Sequence, residues 1–232
     1  MQIRDIGHRC VLVLIFPMPM SKRNEFKTEL EKIVKIFFLC KESYLVLREL
    51  YKTIDNSKYI IDLKYRGSFF TLTKVNYWRV IVLQLSKLFI ERERFNIIKL
   101  LEKCKTGNYY ASLNINQDFI IQELNRIEEK QKSINNIKSQ RDKIFAHEDA
   151  NIEEIVNDIT LDETKKLIEL CQNIIFHIYS EVFDTHYEFE MANSAIGNLK
   201  NVLKSLDEKE KQREEEEAKF LKEFIRKANQ NK

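Results

Sequence analysis

A short stretch near the middle of the chain holds an arginine and a histidine at a spacing suited to phosphate chemistry. Arg141 and His147 are six residues apart, which on an ideal helix is about 9 Å along the axis and about 120° around it. The guanidinium is always charged and offers a fork of donors that fits a phosphate. An imidazole with a pKa of about 6.5 can accept or donate a proton at neutral pH. The pair therefore predicts a phosphate-binding cleft beside a helix end.

The surroundings of Arg141 add weight to this interpretation. The apolar stripe of the preceding helix includes Ile127, Ile134, Ile137 and Ile144. Arg141 continues that stripe, so it occupies a position that the pattern reserves for a buried side chain. Burying a cation without a partner costs several kcal/mol, and stability alone would rarely select it. A structural interpretation stays open, in which the arginine reaches solvent and the histidine merely favours the helix C-terminus.

Patterns for metal and cofactor chemistry are missing from the sequence. The histidines at positions 8, 147, 177 and 186 have no second histidine or cysteine at zinc-ligand spacing. No phosphate loop, dinucleotide-binding glycine motif or nucleophile elbow occurs. We therefore predict no metal and no cofactor. His177, which lies among isoleucines, is expected to be a core or interface histidine.

The cysteines indicate the redox environment of the protein. The four cysteines are widely scattered and form no CxxC pair; they are Cys10, Cys40, Cys104 and Cys171. We expect them to be buried, reduced thiols, which is typical of a cytoplasmic protein.

Composition predicts an all-α fold. The 232 residues are 44% hydrophobic with a net charge of +3, so a core can form, and a nucleic-acid partner is permitted but not required. There are four glycines and two prolines, and both prolines lie in the first twenty residues. An all-β fold needs many tight turns built from such residues. We therefore predict an antiparallel helical bundle.

The hydrophobic periodicity predicts where the helices lie. Helices are expected over residues 21–53, 67–91 and 96–105, and a further one from Asn116 through Phe145. Capping-box spacing occurs at 151–154 and at 160–163, and the second begins a long helix through Phe183.

The two ends of the chain differ from the middle. The apolar run in residues 1–19 is too short to span a bilayer, which needs about 20 apolar residues. We interpret 1–19 as an extension that either precedes a translation start at Met20 or is a removed leader. Residues 20–190 are predicted to form the bundle and 191–232 a charged helical tail, whose apolar end is expected to dock or dimerise.

The segment from Arg141 to His147 resembles the Arg-x4–6-His signature of the HEPN superfamily, found in prokaryotic toxins and abortive-infection proteins. The order of elements before it is also similar to the abortive-infection branch, with a long helix followed by segments at 69–79, 85–89 and 96–101. The resemblance covers residues 24–185. It implies a helical bundle that forms a homodimer around the motif, with the arginine and histidine of two protomers in one composite cleft.

The resemblance also implies a function. It points to a metal-independent endoribonuclease of a toxin–antitoxin or abortive-infection (anti-phage) system, which cleaves RNA by attack of the 2′-hydroxyl. Arg141 and His147 would be catalytic, and Asp142 would support them. We consider Lys143, Tyr109 and Tyr110 as RNA contacts, although packing of the two tyrosines on the core is the preferred explanation.

The implied partners are RNA, a second copy and an antitoxin protein, without a membrane. Asp149 stands where toxins paired with a nucleotidyltransferase antitoxin often carry a tyrosine, so modification by that kind of antitoxin is not expected. The alternative from another class is a non-catalytic helical module that binds nucleotide or RNA or interacts with protein.

Overall fold

The computed structural model describes residues 21–56, 67–90, 92–146, 159–185 and 195–230. This part of the chain contains seven α-helices and no strand, which confirms the all-α fold. In chain order the helices are α1 Lys22–Asn56, α2 Gly67–Phe89, α3 Ile97–Cys104, α4 Gln117–Glu129, α5 Gln131–Ala146, α6 Leu161–Phe183 and α7 Ala195–Gln230. A 3-10 turn, Ala111–Leu113, lies between α3 and α4.

The main core forms where α1 packs against α2 and α6, while α2 packs against α5 on its other side. The fully buried side chains include aromatic and aliphatic residues at helical spacing on α1, such as Phe26, Leu30, Ile33 and Phe37. Burial of this kind is the largest favourable contribution to the fold. The residues that the periodicity selects for the core are therefore the ones that hold the bundle together.

Polar side chains fix several helix starts as the sequence predicts. Asn96 accepts hydrogen bonds from the backbone of Ile98 and Lys99, and Asn116 does the same at the start of α4. Thr160 and Glu163 form a complete capping box at the start of α6, which confirms the second predicted box. The box predicted at 151–154 lies outside the described residues.

The predicted long helix from Asn116 is instead two helices. Lys130 leaves the helical region with φ −95° and ψ 8°, which ends α4 before α5 begins at Gln131. Ile127 lies before the break and Ile134 after it, and both remain in the core at 3% exposure. No glycine or proline marks the position, so the periodicity alone does not reveal it.

Three of the four cysteines are buried free thiols, as predicted. Burial raises the pKa of Cys40 and Cys171, and it raises the pKa of Cys104 to about 12 with a contribution from Glu29. Cys10 lies outside the described residues.

The helix α7 divides into two parts with different surroundings. Leu203 is buried in a second apolar cluster with Val46, Leu50 and Phe70, and Leu199 and Leu206 pack against it. Every residue from 211 to 227 is exposed. The solvated tail that the sequence predicts therefore begins only beyond the first turns of α7, while the boundary predicted at residue 190 lies outside the described residues and stays a prediction.

Candidate active site

Arg141 lies near the C-terminal end of α5 with its side chain 20% exposed. Its Nε and Nη2 donate to Asp142 Oδ1 over 3.0 and 2.8 Å, and Nη1 lies 3.5 Å from Glu93 Oε1. A guanidinium has five N–H donors, so two remain after these three contacts. The arginine is thus held by carboxylates and retains donors for a phosphate.

The buried position of this turn belongs to the residue before Arg141. Gln140 is fully buried, and its Oε1 accepts a hydrogen bond from Trp78 Nε1 over 3.2 Å. The expectation that Arg141 itself takes the buried position of the stripe is therefore wrong. Gln140 and Arg141 are three and four residues after Ile137, which places them about 60° to one side and about 40° to the other side of Ile137 around the helix. The hydrophobic pattern alone therefore does not show which of the two is buried. The Trp78–Gln140 hydrogen bond fixes α5 against α2 and leaves Arg141 at the edge of the interface.

The connection between α2 and α3 brings Glu93 to Arg141. Arg92 and Arg94, the neighbours of Glu93 in the sequence, are exposed. The backbone carbonyl of Glu93 accepts a hydrogen bond from Lys99 Nζ over 2.8 Å, and the buried cap residue Asn96 fixes the entry into α3. These contacts hold Glu93 beside α5.

Two cations flank the ring of Phe95 in the same connection. Lys32 Nζ lies 4.7 Å and Arg94 Cζ 5.2 Å from the ring centroid, at distances typical of cation–π contacts. All three residues line a pocket of about 280 Å³. Lys32 and Arg94 make no ion pair with another residue in the described ranges, whereas Lys103 in the same pocket is paired with Glu29. Glu25 also lines the pocket, so three cations and two carboxylates give it a net charge of +1.

Tyr109 and Tyr110 form a separate cluster with α1. Tyr110 is 4% exposed, packs edge-on against Phe26 and donates to Glu29, so it is a core residue. Tyr109 is 51% exposed and donates to Glu25 over 2.6 Å. Burial and Glu29 raise the pKa of Tyr110, and the hydrogen bond to Glu25 raises that of Tyr109. Of the two tyrosines among the three predicted RNA contacts, only Tyr109 is exposed, and Lys22 Nζ lies 5.1 Å from its ring centroid.

The remaining predicted site residues lie at or beyond the described part of α5. Asp142 is exposed and binds Arg141, which is compatible with its predicted supporting position. The backbone of Lys143 belongs to α5, but its side chain is outside the described set, and so is all of His147. His147 follows Ala146, the last residue of α5, directly in the sequence.

His177, the one histidine among the described residues, has a packing role. The ring of His177 stacks on Phe119 with centroids 3.6 Å apart, and Nε2 lies 3.2 Å from Glu181 Oε2. It therefore joins α6 to the start of α4, as an interface histidine does. Among the residues with described positions, no group of three or more histidine, cysteine or acidic side chains is arranged to hold a metal.

The HEPN_AbiU2 family model, described as AbiU2, matches residues 27–202, well over half of the chain. The chain belongs to this HEPN family. The finding confirms the resemblance drawn from the sequence to an abortive-infection-type HEPN domain. The match reaches into the first turns of α7 and includes Leu199, which packs against the cluster of Val46, Leu50 and Phe70. No curated protein and no solved structure matches the chain at a significant level.

Sequence reasoning missed Glu93 and Gln140. Glu93 is 48 residues before Arg141, and nothing in the local pattern links the two. Gln140 could have been found, because it is a polar residue at a position where the apolar stripe of α5 predicts burial.

Within the described ranges, no helix is long and apolar enough to cross a membrane.

Proposed function

We propose that this protein is a metal-independent endoribonuclease that acts in abortive infection or as a toxin restrained by an antitoxin protein. Arg141 and His147 would form its site, completed by the same residues of a second copy. The cytoplasm is the proposed place of action, where cellular and phage RNA are found. The observation that carries the proposal is Arg141, held at the edge of the α2–α5 interface with donors to spare and followed six residues later by a histidine.

The chemistry needs little beyond these two side chains. RNA carries its own nucleophile, the 2′-hydroxyl, so no metal-bound water is required. The imidazole of His147 would take the proton of that hydroxyl or give one to the leaving 5′-oxygen. The guanidinium of Arg141 would stabilise the charge that develops on the phosphate in the transition state. The products would be a 2′,3′-cyclic phosphate and a 5′-hydroxyl end.

The cations at the ring of Phe95 support RNA as the ligand. Arg94 follows Glu93, the ion-pair partner of Arg141, and shares a pocket with Lys32 and Phe95. Cations next to an aromatic ring are features that single-stranded nucleic acids bind, through phosphate contacts and stacking. An RNA strand that enters the site would therefore pass from the Phe95 pocket to Arg141.

Cleavage of total cellular RNA by the purified protein in EDTA tests this function. Wild type should cleave RNA but not DNA, which lacks the 2′-hydroxyl, and should leave 2′,3′-cyclic phosphate ends. Arg141→Ala and His147→Ala should each lose about 10²–10⁴-fold in rate. Lys138→Ala, which removes an exposed cation from the same helix, should retain wild-type cleavage.

Three results would count against the proposal. Loss of cleavage in EDTA would rule out the metal-independent mechanism. Equal cleavage by wild type and both active-site variants would place the activity elsewhere or in a contaminant. RNA binding without any cleavage would favour the alternative, a non-catalytic nucleotide- or RNA-binding module.

A further inference from the structure

The C-terminal half of α7 carries an apolar patch with no cover. Phe220, Leu221, Phe224 and Ile225 are 69, 58, 64 and 56% exposed. Their spacing places all four on one face of the helix. Soluble proteins rarely leave four large apolar side chains together in solvent, and such patches mark interaction surfaces.

The patch continues the face by which α7 docks on its own bundle. Steps of three and four residues lead from Leu203 and Leu206 through Glu210, Arg213 and Glu217 to Leu221 and Phe224. In the charged middle of this stripe, Arg213 forms ion pairs with Glu210 over 2.9 Å and with Glu217 over 3.5 Å. One helix face thus has a first apolar part covered by α1 and α2 and a second part that emerges uncovered.

The charges before and after the patch, on the same side of the helix, have opposite signs. Glu214 and Glu217 precede the patch, and Lys227 follows it at the edge of that side. Glu214 and Lys227 make no ion pair with another described residue, whereas Glu217 contacts Arg213. If two α7 helices met in parallel, each acidic segment would face its own copy and repel it. In an antiparallel pair, the acidic segment of one helix faces the basic end of the other.

We propose that the C-terminal half of α7 associates with the same segment of a second copy, antiparallel, with the two-fold axis near residue 222. From the exposed fraction and the size of each residue, the four apolar side chains together expose about 450 Å² per copy. Two copies would bury about 900 Å², less than the roughly 1,200–2,000 Å² of stable interfaces. The pair is therefore weak by itself, and its population rises with protein concentration. This proposal is independent of the ribonuclease function.

Distances between spin labels on α7 of the full-length chain test the geometry. A Cys10→Ser background is used because the other three cysteines are buried. With a rise of 1.5 Å per residue, labels at Glu208→Cys should be about 40 Å apart in the antiparallel pair, and labels at Lys222→Cys less than about 20 Å. Short distances at both positions would mean a parallel pair and would overturn the proposal, as would the absence of any intermolecular distance at high concentration.

Substitutions in the patch distinguish this contact from any other dimer contact. Phe224→Asp should abolish both distances, while Val202→Asp, the same kind of change at a 56% exposed position of α7, should leave them intact. If Phe224→Asp leaves the distances unchanged, the copies meet elsewhere and the proposal fails. Cleavage is not the readout, so a failed ribonuclease assay leaves this test unaffected.

Charge exchange tests the antiparallel arrangement independently. E214K/E217K should weaken the association at low salt, because it brings cations toward Lys227 of the partner helix. Adding K227E to the same chain should restore the association in part. Failure of the combined variant to recover, with α7 still helical by circular dichroism, would show that these charges do not face each other.

Discussion

Arg141 shares its guanidinium between two carboxylates of different origin, one from its own helix and one from the connection after α2. The side chains of Asp142 and Glu93 are 56 and 39% exposed, so each ion pair is worth little in free energy. A phosphate can therefore displace one of them at small cost. The carboxylates orient the arginine in the free protein without blocking it, as a binding residue requires.

Lys32 and Arg94 should contribute to RNA binding by neutralising phosphates. In a His147→Ala background, which keeps the RNA whole, K32A/R94A should weaken binding of a single-stranded RNA about tenfold in low salt. The slope of log affinity against log salt concentration should become shallower by about 0.7 for each phosphate that the variant no longer neutralises. Fluorescence anisotropy at several salt concentrations measures both quantities.

A matched variant controls for the change in net charge. K27A/K35A removes two exposed lysines that line the groove between α1 and the end of α6, away from Arg94. Its affinity should stay close to that of the parent. An equal loss of affinity in the two double variants would mean that RNA responds to overall charge and not to the Phe95 pocket.

At the scale of elements, local signals in the sequence were reliable where a cap or a long apolar stripe was present. Asn96, Asn116 and Thr160 each begin a helix within a residue of the predicted start. The end of α4 at Lys130 was missed because both halves keep a helical stripe and no residue there opposes helix. The contact between Glu93 and Arg141 could not be predicted, since it depends on how α2, α3 and α5 assemble.

The capping box of α6 should contribute a pH-dependent part of the stability. The hydrogen bond from the Thr160 backbone is the main reason that the pKa of Glu163 is lowered from its ordinary value of 4.5. A lowered pKa in the folded state means stability that is present above the unfolded pKa and lost as the pH falls through the folded pKa. Glu163→Gln should therefore cost roughly 0.3–1 kcal/mol in the free energy of unfolding at pH 7, from the lost charge at the helix N-terminus. The cost should shrink as the pH is lowered below about 4.5.

Urea unfolding of wild type and variant across this pH range provides the measurement. Thr160→Ala should cost about 1 kcal/mol because it removes the cap acceptor of the Glu163 N–H, and this loss should change less with pH. A Glu163→Gln effect that grows toward acidic pH would have the wrong sign for a carboxylate stabilised by its hydrogen bonds.

At the scale of the whole molecule, α7 is attached to the bundle by a small apolar cluster. The family match ends at residue 202, next to Leu203, which is the most buried apolar residue described in α7. Composition marked the segment as charged and therefore solvated, but it could not show that the first turns are covered. Whether an amphipathic face is covered depends on a tertiary contact, here with Val46, Leu50 and Phe70.

Leu203→Ala should destabilise the folded protein by about 2–4 kcal/mol, because it leaves a cavity in the cluster with Val46, Leu50 and Phe70. Val202→Ala, next to it on the exposed side of α7, should change the free energy of unfolding by less than about 0.5 kcal/mol. Denaturant unfolding at low protein concentration compares the two. Similar, small effects of both substitutions would show that the start of α7 is not held on the bundle.

The hydrogen bond between Trp78 and Gln140 has a practical consequence. Trp78 is the sole tryptophan of the chain, it is 5% exposed, and its indole contacts the residue adjacent to Arg141. Tryptophan fluorescence of this protein therefore reports on the boundary between α2 and α5. The emission wavelength gives an intrinsic optical signal of α5 displacement at the arginine, without any added dye.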